Sequence, residues 1–159
     1  LRQHRLDQDT LVAFISDNGG PTGELTSSNL PLRGGKGQLF EGGIRVPFFL
    51  QYPRVLKPGR VLDTPLTALD LLPTFRAAAQ AQAPPPQRLD GLNLLPWLSG
   101  QASPPAERPL FWRHARASAL RLGDWKIVRQ FPPAQPPGPW SLFHLKNDPA
   151  EAHDQASAE

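Results

Sequence analysis

The sequence predicts an α/β core followed by a small antiparallel sheet, and three observations point to it. Leu11-Val12-Ala13-Phe14-Ile15 is a short, unbroken apolar run closed by Gly19-Gly20-Pro21, which favours a strand buried on both faces over a helix. Leu66 to Ala83 repeats apolar residues at helical spacing. From Leu110 to Phe143, short runs of β-forming residues alternate with turn residues, as in a meander of antiparallel strands.

The elements follow in order. Residues 1–9 are polar and basic and read as the tail of a helix and a loop into the first strand. Pro21 to Pro31 is a loop of small and polar residues, of a length that often carries function. Glu41 to Leu50 reads as a turn entering a second apolar strand. Pro53, Pro58 and Gly59 mark a connector, with a short strand expected over Val61 to Thr64. In the helix that follows, Leu69, Leu72, Phe75 and Ala79 fall on one side, which predicts the buried face. Pro65 suits its first turn. Pro73 should kink or restart it, and Asp70 is placed as a capping carboxylate. The Pro84-Pro85-Pro86 tract reads as a loop. Leu92 to Leu98 is a short helix ended by Ser99-Gly100. Strands are expected at Leu110–Trp112, Ala117–Leu122, Trp125–Arg129 and Trp140–Leu145, with Gly123-Asp124 turning between the middle two. Trp112, Trp125 and Trp140 are expected in the core of that sheet, and His153 in a frayed tail.

Composition narrows the function classes. The net charge of +3 over 159 residues is too small and scattered to indicate nucleic acid. No apolar run reaches membrane-spanning length. The 20 prolines imply a large share of loop and extended chain. Zero cysteines exclude disulfides and leave the compartment open.

Chemistry concentrates between Leu11 and Phe48. In open α/β sheets, ligands sit beyond the carboxyl ends of strands, and Asp17 and Asn18 lie at such an end. A carboxylate beside a carboxamide offers hard oxygen ligands, suited to Ca²⁺ or Mg²⁺. The same Asp-Asn-Gly is also ordinary turn chemistry. Lys36 is flanked by Gly34, Gly35 and Gly37. Glycines let the backbone approach an anion, and a lysine brings a compact charge with three donors. A solvated loop lysine fits the same local pattern. The glycine spacing is not that of a P-loop, and no Ser or Thr follows the lysine. Arg45 is either a second anion contact or a structural ion-pair partner, the latter being favoured.

Taken together, Ser16-Asp17-Asn18-Gly19-Gly20, Leu32-Arg33-Gly34-Gly35-Lys36-Gly37 and Glu41-Gly42-Gly43-Ile44-Arg45-Val46-Pro47-Phe48 resemble the C-terminal half of a type I sulfatase of the arylsulfatase kind. Asp70-Leu71-Leu72-Pro73-Thr74, Leu122 to Arg129 and Leu142 to Glu151 extend the resemblance over nearly the whole chain. It implies the C-terminal part of an alkaline-phosphatase-like fold. Residues 1–100 would complete the catalytic α/β domain, and residues 101–159 would form an antiparallel β subdomain with a packed helix, and a tail. It also implies a sulfuric ester hydrolase acting on small-molecule or sugar sulfate esters. Asp17 and Asn18 would be ligands of an active-site Ca²⁺. Lys36 would bind the sulfate and stabilise charge on the leaving oxygen. His114, in the C-terminal subdomain, is a further candidate for reaching the substrate, weighed against a surface strand-end residue. Relatives of this family are commonly periplasmic, secreted or lysosomal.

The sequence also departs from the family pattern. The formylglycine nucleophile arises from Cys or Ser in a Cys/Ser-x-Pro-x-Arg motif, and this chain has no cysteine and no Ser-x-Pro-x-Arg. The N-terminal pair of metal-binding aspartates is absent too. The expectation is a C-terminal portion that by itself does not turn over sulfate esters and binds Ca²⁺ weakly or not at all. Two other readings stand beside it: a phosphate or phosphonate ester hydrolase of the same superfamily, and a non-catalytic remnant.

Overall fold

The computed structural model describes residues 1–23, 27–81 and 88–156. The chain divides into two units: Leu1–Phe14 with Phe49–Ala106, and Ile15–Phe48 with Glu107–Glu159. The Pro84–Pro86 tract and the expected end of the helix at 82–83 lie outside the described residues.

In the first unit, a 3-10 turn (Arg2–His4) leads to strand β1 (Val12–Ile15), which pairs with β2 (Phe48–Gln51) in a two-stranded sheet. The expectation that β1 is buried on both faces is corrected. Phe14 is 61% exposed and lies against Phe49 of β2, ring centroids 5.9 Å apart. The apolar run set the strand but not what covers it. Arg54 holds the exposed Asp9 carboxylate through a forked contact, with Nη2 donating to Oδ2 at 2.6 Å. No strand forms over 61–64, where Val61 is exposed.

Helix α2 (Leu71–Ala78) is preceded by a 3-10 turn (Ala68–Asp70). Pro73 therefore falls in the first turn of α2, where its missing N–H has no partner to lose. Asp70 does cap: its Oδ2 accepts the Thr67 amide at 3.1 Å in a capping box, and its Oδ1 accepts the Leu92 amide at 2.8 Å. The helix is turned the other way from the expectation, however. Leu69, Leu72, Phe75 and Ala79 are exposed, whereas Asp70 and Thr74, one turn apart, are fully buried. Thr74 Oγ1 donates to the Asp70 carbonyl at 2.6 Å and accepts the Leu94 amide at 3.0 Å. Hydrogen bonds, not an apolar stripe, thus dock α2 beside the segment that becomes α3 (Leu95–Leu98). Leu94, Trp97 and Leu98 form this unit's core, with Leu50, Leu56 and Leu66 packed on it.

The second unit is built on a meander of β3 (Leu110–His114), β4 (Ala117–Leu122), β5 (Trp125–Gln130) and β6 (Trp140–His144), antiparallel throughout. Gly123 turns β4 into β5 at φ 58°, a conformation glycine adopts without penalty. Alternation puts Ala117, Ala119, Val128 and Phe143 on one face, and Leu39, Phe40 and Leu145 close the core over it. Trp112 packs on that core. Trp125 and Trp140 do not, which corrects the expectation: they lie at the sheet's margin, Trp125 edge-on to His144 and Trp140 beneath Arg129. The tail is tied rather than frayed as far as residue 156. Asp148 accepts the amides of Ala152 and His153, and Asp154 those of Leu142 and Ala156. Among the described residues, no helix is long and apolar enough to cross a membrane.

Candidate active site

The segments carrying Asp17, Asn18 and Lys36 are joined by their backbones. The chain leaves β1 through Ser16, whose hydroxyl donates to the Asn18 carbonyl at 2.8 Å. Asp17 is exposed and Asn18 half-buried. Asn18 Nδ2 donates to the Gly19 carbonyl at 2.9 Å, which orients the amide so that Oδ1 is the atom it presents as an acceptor. Two residues on, the Gly20 carbonyl accepts the Lys36 amide at 3.2 Å. Lys36 and Gly37 form an exposed turn, with Gly37 at φ 81°.

A third segment locks these two. Helix α1 (Glu41–Ile44) is a single turn whose Gly43 carbonyl accepts the Gly19 amide at 3.0 Å, and whose Gly42 amide donates to the Arg33 carbonyl at 2.7 Å. The approach is so close that a Cβ on Gly19 would fall on the Gly42 carbonyl oxygen. This is why the motif needs glycines on both sides.

Asn29, which sequence reasoning passed over as loop polarity, holds the assembly from a fourth side. Its Oδ1 accepts the Gly20 amide at 2.9 Å, and its Nδ2 donates to the carbonyls of Gly20 and Gly34 at 2.9 and 3.0 Å. A cavity of about 330 Å³ opens here, lined by Thr22, Ser27, Ser28, Asn29 and Arg33 among others. Nothing in a Ser-Ser-Asn string separates such a staple from an ordinary turn.

Beneath α1 lies a buried charge cluster, also missed. Lys126 Nζ, on the inner face of β5, is 2.9 Å from Glu41 Oε1 and 2.9 Å from Glu151 Oε1. Glu151 Oε2 accepts the Glu41 amide at 2.6 Å. Arg121 Nη1 stands 3.8 Å from Glu41 Oε2, and Arg45 Nη1 4.0 Å from the same atom, which gives Arg45 a structural partner. Burial pushes the Glu151 carboxyl above its ordinary value, and Lys126 offsets part of that rise. One signal was available in the sequence: strand alternation puts Lys126 on the same face as Val128, facing the core.

Asp17 and Asn18 supply oxygen ligands of the right kind for a hard cation, but two of the 6–8 that Ca²⁺ takes. Among the described residues no cluster of three or more His, Cys, Asp or Glu could hold a metal. His114 is exposed at the end of β3, where its Nδ1 accepts the Arg116 amide at 3.4 Å. The structure thus joins Asp17, Asn18 and Lys36 through neighbouring backbone, and places His114 in the sheet with a turn contact of its own.

Comparison with known proteins identifies the family and the fold. Residues 1–81 match the protein family described as Sulfatase. The chain is 39% identical to mouse steryl-sulfatase over 150 residues, covering 87% of this chain and 24% of that protein. It is 42% identical to dog arylsulfatase H over 110 residues, covering 65% of this chain and 20% of that protein. Among solved structures, Ps i-CgsB superposes with a TM-score of 0.83 at 35% identity, over 99% of this chain and 34% of that one. The same protein has been crystallised in complex with k-i-k-neocarrahexaose. The chain therefore spans about a quarter of the length of the mouse relative. The fold is that of the alkaline-phosphatase-like sulfatases, and both the family match and the identity to whole-chain relatives lead to one conclusion: this chain belongs to the sulfatase family.

Proposed function

We propose that the protein carrying this chain hydrolyses sulfate monoesters, with Lys36 contacting the sulfate group and Asp17 and Asn18 helping to hold Ca²⁺. The observation that supports this reading is the direct hydrogen bonding of the Lys36 segment to the segment ending β1, which makes the backbones carrying Lys36, Asp17 and Asn18 neighbours. The family membership supports the reaction class.

Sulfate-ester cleavage builds negative charge on the leaving oxygen. Lys36 stands on a turn pinned at its amide, with its side chain in solvent and three N–H donors to offer. From that tethered base its ammonium can reach a bound sulfate, where a positive charge stabilises the charge that develops. Ca²⁺, when bound, would add Lewis-acid neutralisation of the same charge. The formylglycine of the family requires a Cys or a Ser-x-Pro-x-Arg serine, and this chain supplies neither; no step is assigned to it. The substrate class is a small-molecule or sugar sulfate ester, supported by the steryl-sulfatase relatives and by the neocarrahexaose complex of the 35%-identical structure. His114, at the exposed end of β3, is the candidate rim contact from the C-terminal sheet.

The test is a comparison of kcat/KM on matched aryl sulfate and aryl phosphate esters by the full-length protein. Higher efficiency on the sulfate is expected. Equal or higher efficiency on the phosphate would assign the protein to the phosphoesterases of the superfamily instead.

A further inference from the structure

We propose that the buried Glu41–Lys126–Glu151 triad is a positioning device, which fixes the Asp17–Asn18 and Lys36 segments by clamping α1 from below. Its catalytic consequence rests on the sulfatase reading above; its mechanical part does not.

The geometry runs through one helical turn. Glu41 is the first residue of α1, and its amide and carboxylate Oε1 are both hydrogen-bonded, while the buried Oε2 has only the longer ionic contacts of Arg121 and Arg45. Its amide donates to Glu151 Oε2 at 2.6 Å, and its carboxylate meets Lys126 at 2.9 Å and Arg121 at 3.8 Å. The next two residues, Gly42 and Gly43, bind the site segments: Gly42 N–H to the Arg33 carbonyl, Gly43 carbonyl to Gly19 N–H. The Arg33 side chain closes a second path, donating from Nη1 to the Glu151 carbonyl at 3.0 Å while its guanidinium lies 4.0 Å over the Phe40 ring. Segment 16–20, segment 33–38 and strand β5 thus meet on α1 and Glu151.

A charged triad in this position is chemically informative. Lys126 is shared between two carboxylates, with Arg121 and Arg45 only at 3.8 and 4.0 Å from Glu41, and burying charge is expensive, so well-packed apolar residues would often serve stability as well. What an apolar replacement cannot supply is direction. Lys126 reaches both carboxylates only if α1 and the 148–151 turn are each in one place. Glu151 adopts φ 52° to get there, a left-handed conformation that costs a side-chain-bearing residue stability.

The test is amide hydrogen exchange on the full-length protein, read at Glu41, Gly19 and Lys36. In the wild type the three amides are expected to open together. Independent opening of Gly19 and Lys36 would overturn the proposal without any variant. Glu41→Gln keeps the side chain's shape and removes its charge. It is expected to speed exchange at Gly19 and Lys36 by about tenfold, and to lower kcat while KM moves by less than about twofold. Glu151→Gln, acting from the other end of the triad, should give the same pattern. Unchanged exchange at Gly19 and Lys36 in both variants would reduce the triad to a staple of the sheet. Faster exchange with unchanged turnover would uphold the positioning device and refute the catalytic role given to Lys36.

Discussion

Glu151 accepts the backbone N–H of Glu41 at 2.6 Å, although 110 residues separate them in the chain. A carboxylate on that amide satisfies a donor that a helix start leaves without an intrahelical partner. It also ties the glycine-rich site segment to the last turn of the C-terminal sheet, and Lys126 completes the tie.

Lys126→Met should therefore be severely destabilising. It leaves the buried Glu151 carboxylate without its cation and Glu41 with only the longer contacts of Arg121 and Arg45, and breaking a buried pair in this way costs about 3–5 kcal/mol. Urea denaturation checks it. A loss below about 1 kcal/mol would mean that the carboxylates find water or protons at little cost.

The carboxylates of this unit should respond to pH in opposite senses. Glu151 is raised above its ordinary 4.5 by burial, against the partly offsetting Lys126. Its unfolded form ionises first, so its contribution to stability is full below pH 4.5 and falls as pH rises through the raised value. Asp148 is lowered from 3.8, chiefly by the amides of His153 and Ala152, and Asp154 likewise by the Ser141 hydroxyl and the amides of Ala156 and Leu142. Their contributions are present above pH 3.8 and fade as pH drops through the lowered values. NMR titration should show the 148–156 turn loosening first on the acid side. Wild-type stability relative to Glu151→Gln should decline as pH increases from 4.5.

Lys36→Ala should separate catalysis from folding. The side chain is exposed, so stability should change by less than about 0.5 kcal/mol. Turnover by the full-length protein should fall by about 10²–10³, the loss seen when one charge-stabilising contact is removed. Thermal melts and initial rates on an aryl sulfate measure both. A near-normal rate would return Lys36 to the surface loop.

Asn29→Ala should damage the same site by another route. It removes three half-buried hydrogen bonds to Gly20 and Gly34, each worth about 0.5–1.5 kcal/mol. Hydrogen exchange at Gly20 should rise together with that at Lys36, since both hang on the Gly20 peptide.

Thr74→Val probes the other unit. The hydroxyl donates to Asp70 and receives from Leu94, and the valine is of similar size but cannot do either. A loss of about 1–3 kcal/mol is expected by denaturant melts. A neutral result would show that apolar packing, not hydrogen bonding, docks α2.

How far the sequence could be read differs between elements for physical reasons. The four strands from Leu110 to His144 were legible because alternation and turn residues are local signals, and Gly123 marks its turn unmistakably. That the segments carrying Asp17, Asn18 and Lys36 are backbone neighbours agrees with the glycines on both of them, since only glycine tolerates so close an approach. The facing of α2 was not legible, because its inward residues, Asp70 and Thr74, are polar and engage amides 22 and 20 residues further along the chain, where periodicity of apolar residues carries no information. The exposure of Phe14 was not, since an apolar run specifies a strand and is silent on its cover. The triad was not, because Glu41, Lys126 and Glu151 each look like solvated charges until the fold brings them to 2.9 Å.

The long reach between Glu41 and Glu151 also sets a schedule. On a ribosome adding roughly 5–20 residues per second, the Lys36 loop emerges many seconds before the carboxylate that clamps it. During that interval the glycine-rich segment has its sequence but not its anchor. A nascent chain halted between residues 36 and 151 would carry Asp17, Asn18 and Lys36 intact and still lack the means to hold them in register, so damage at Glu151 reads out at Glu41, 110 residues earlier.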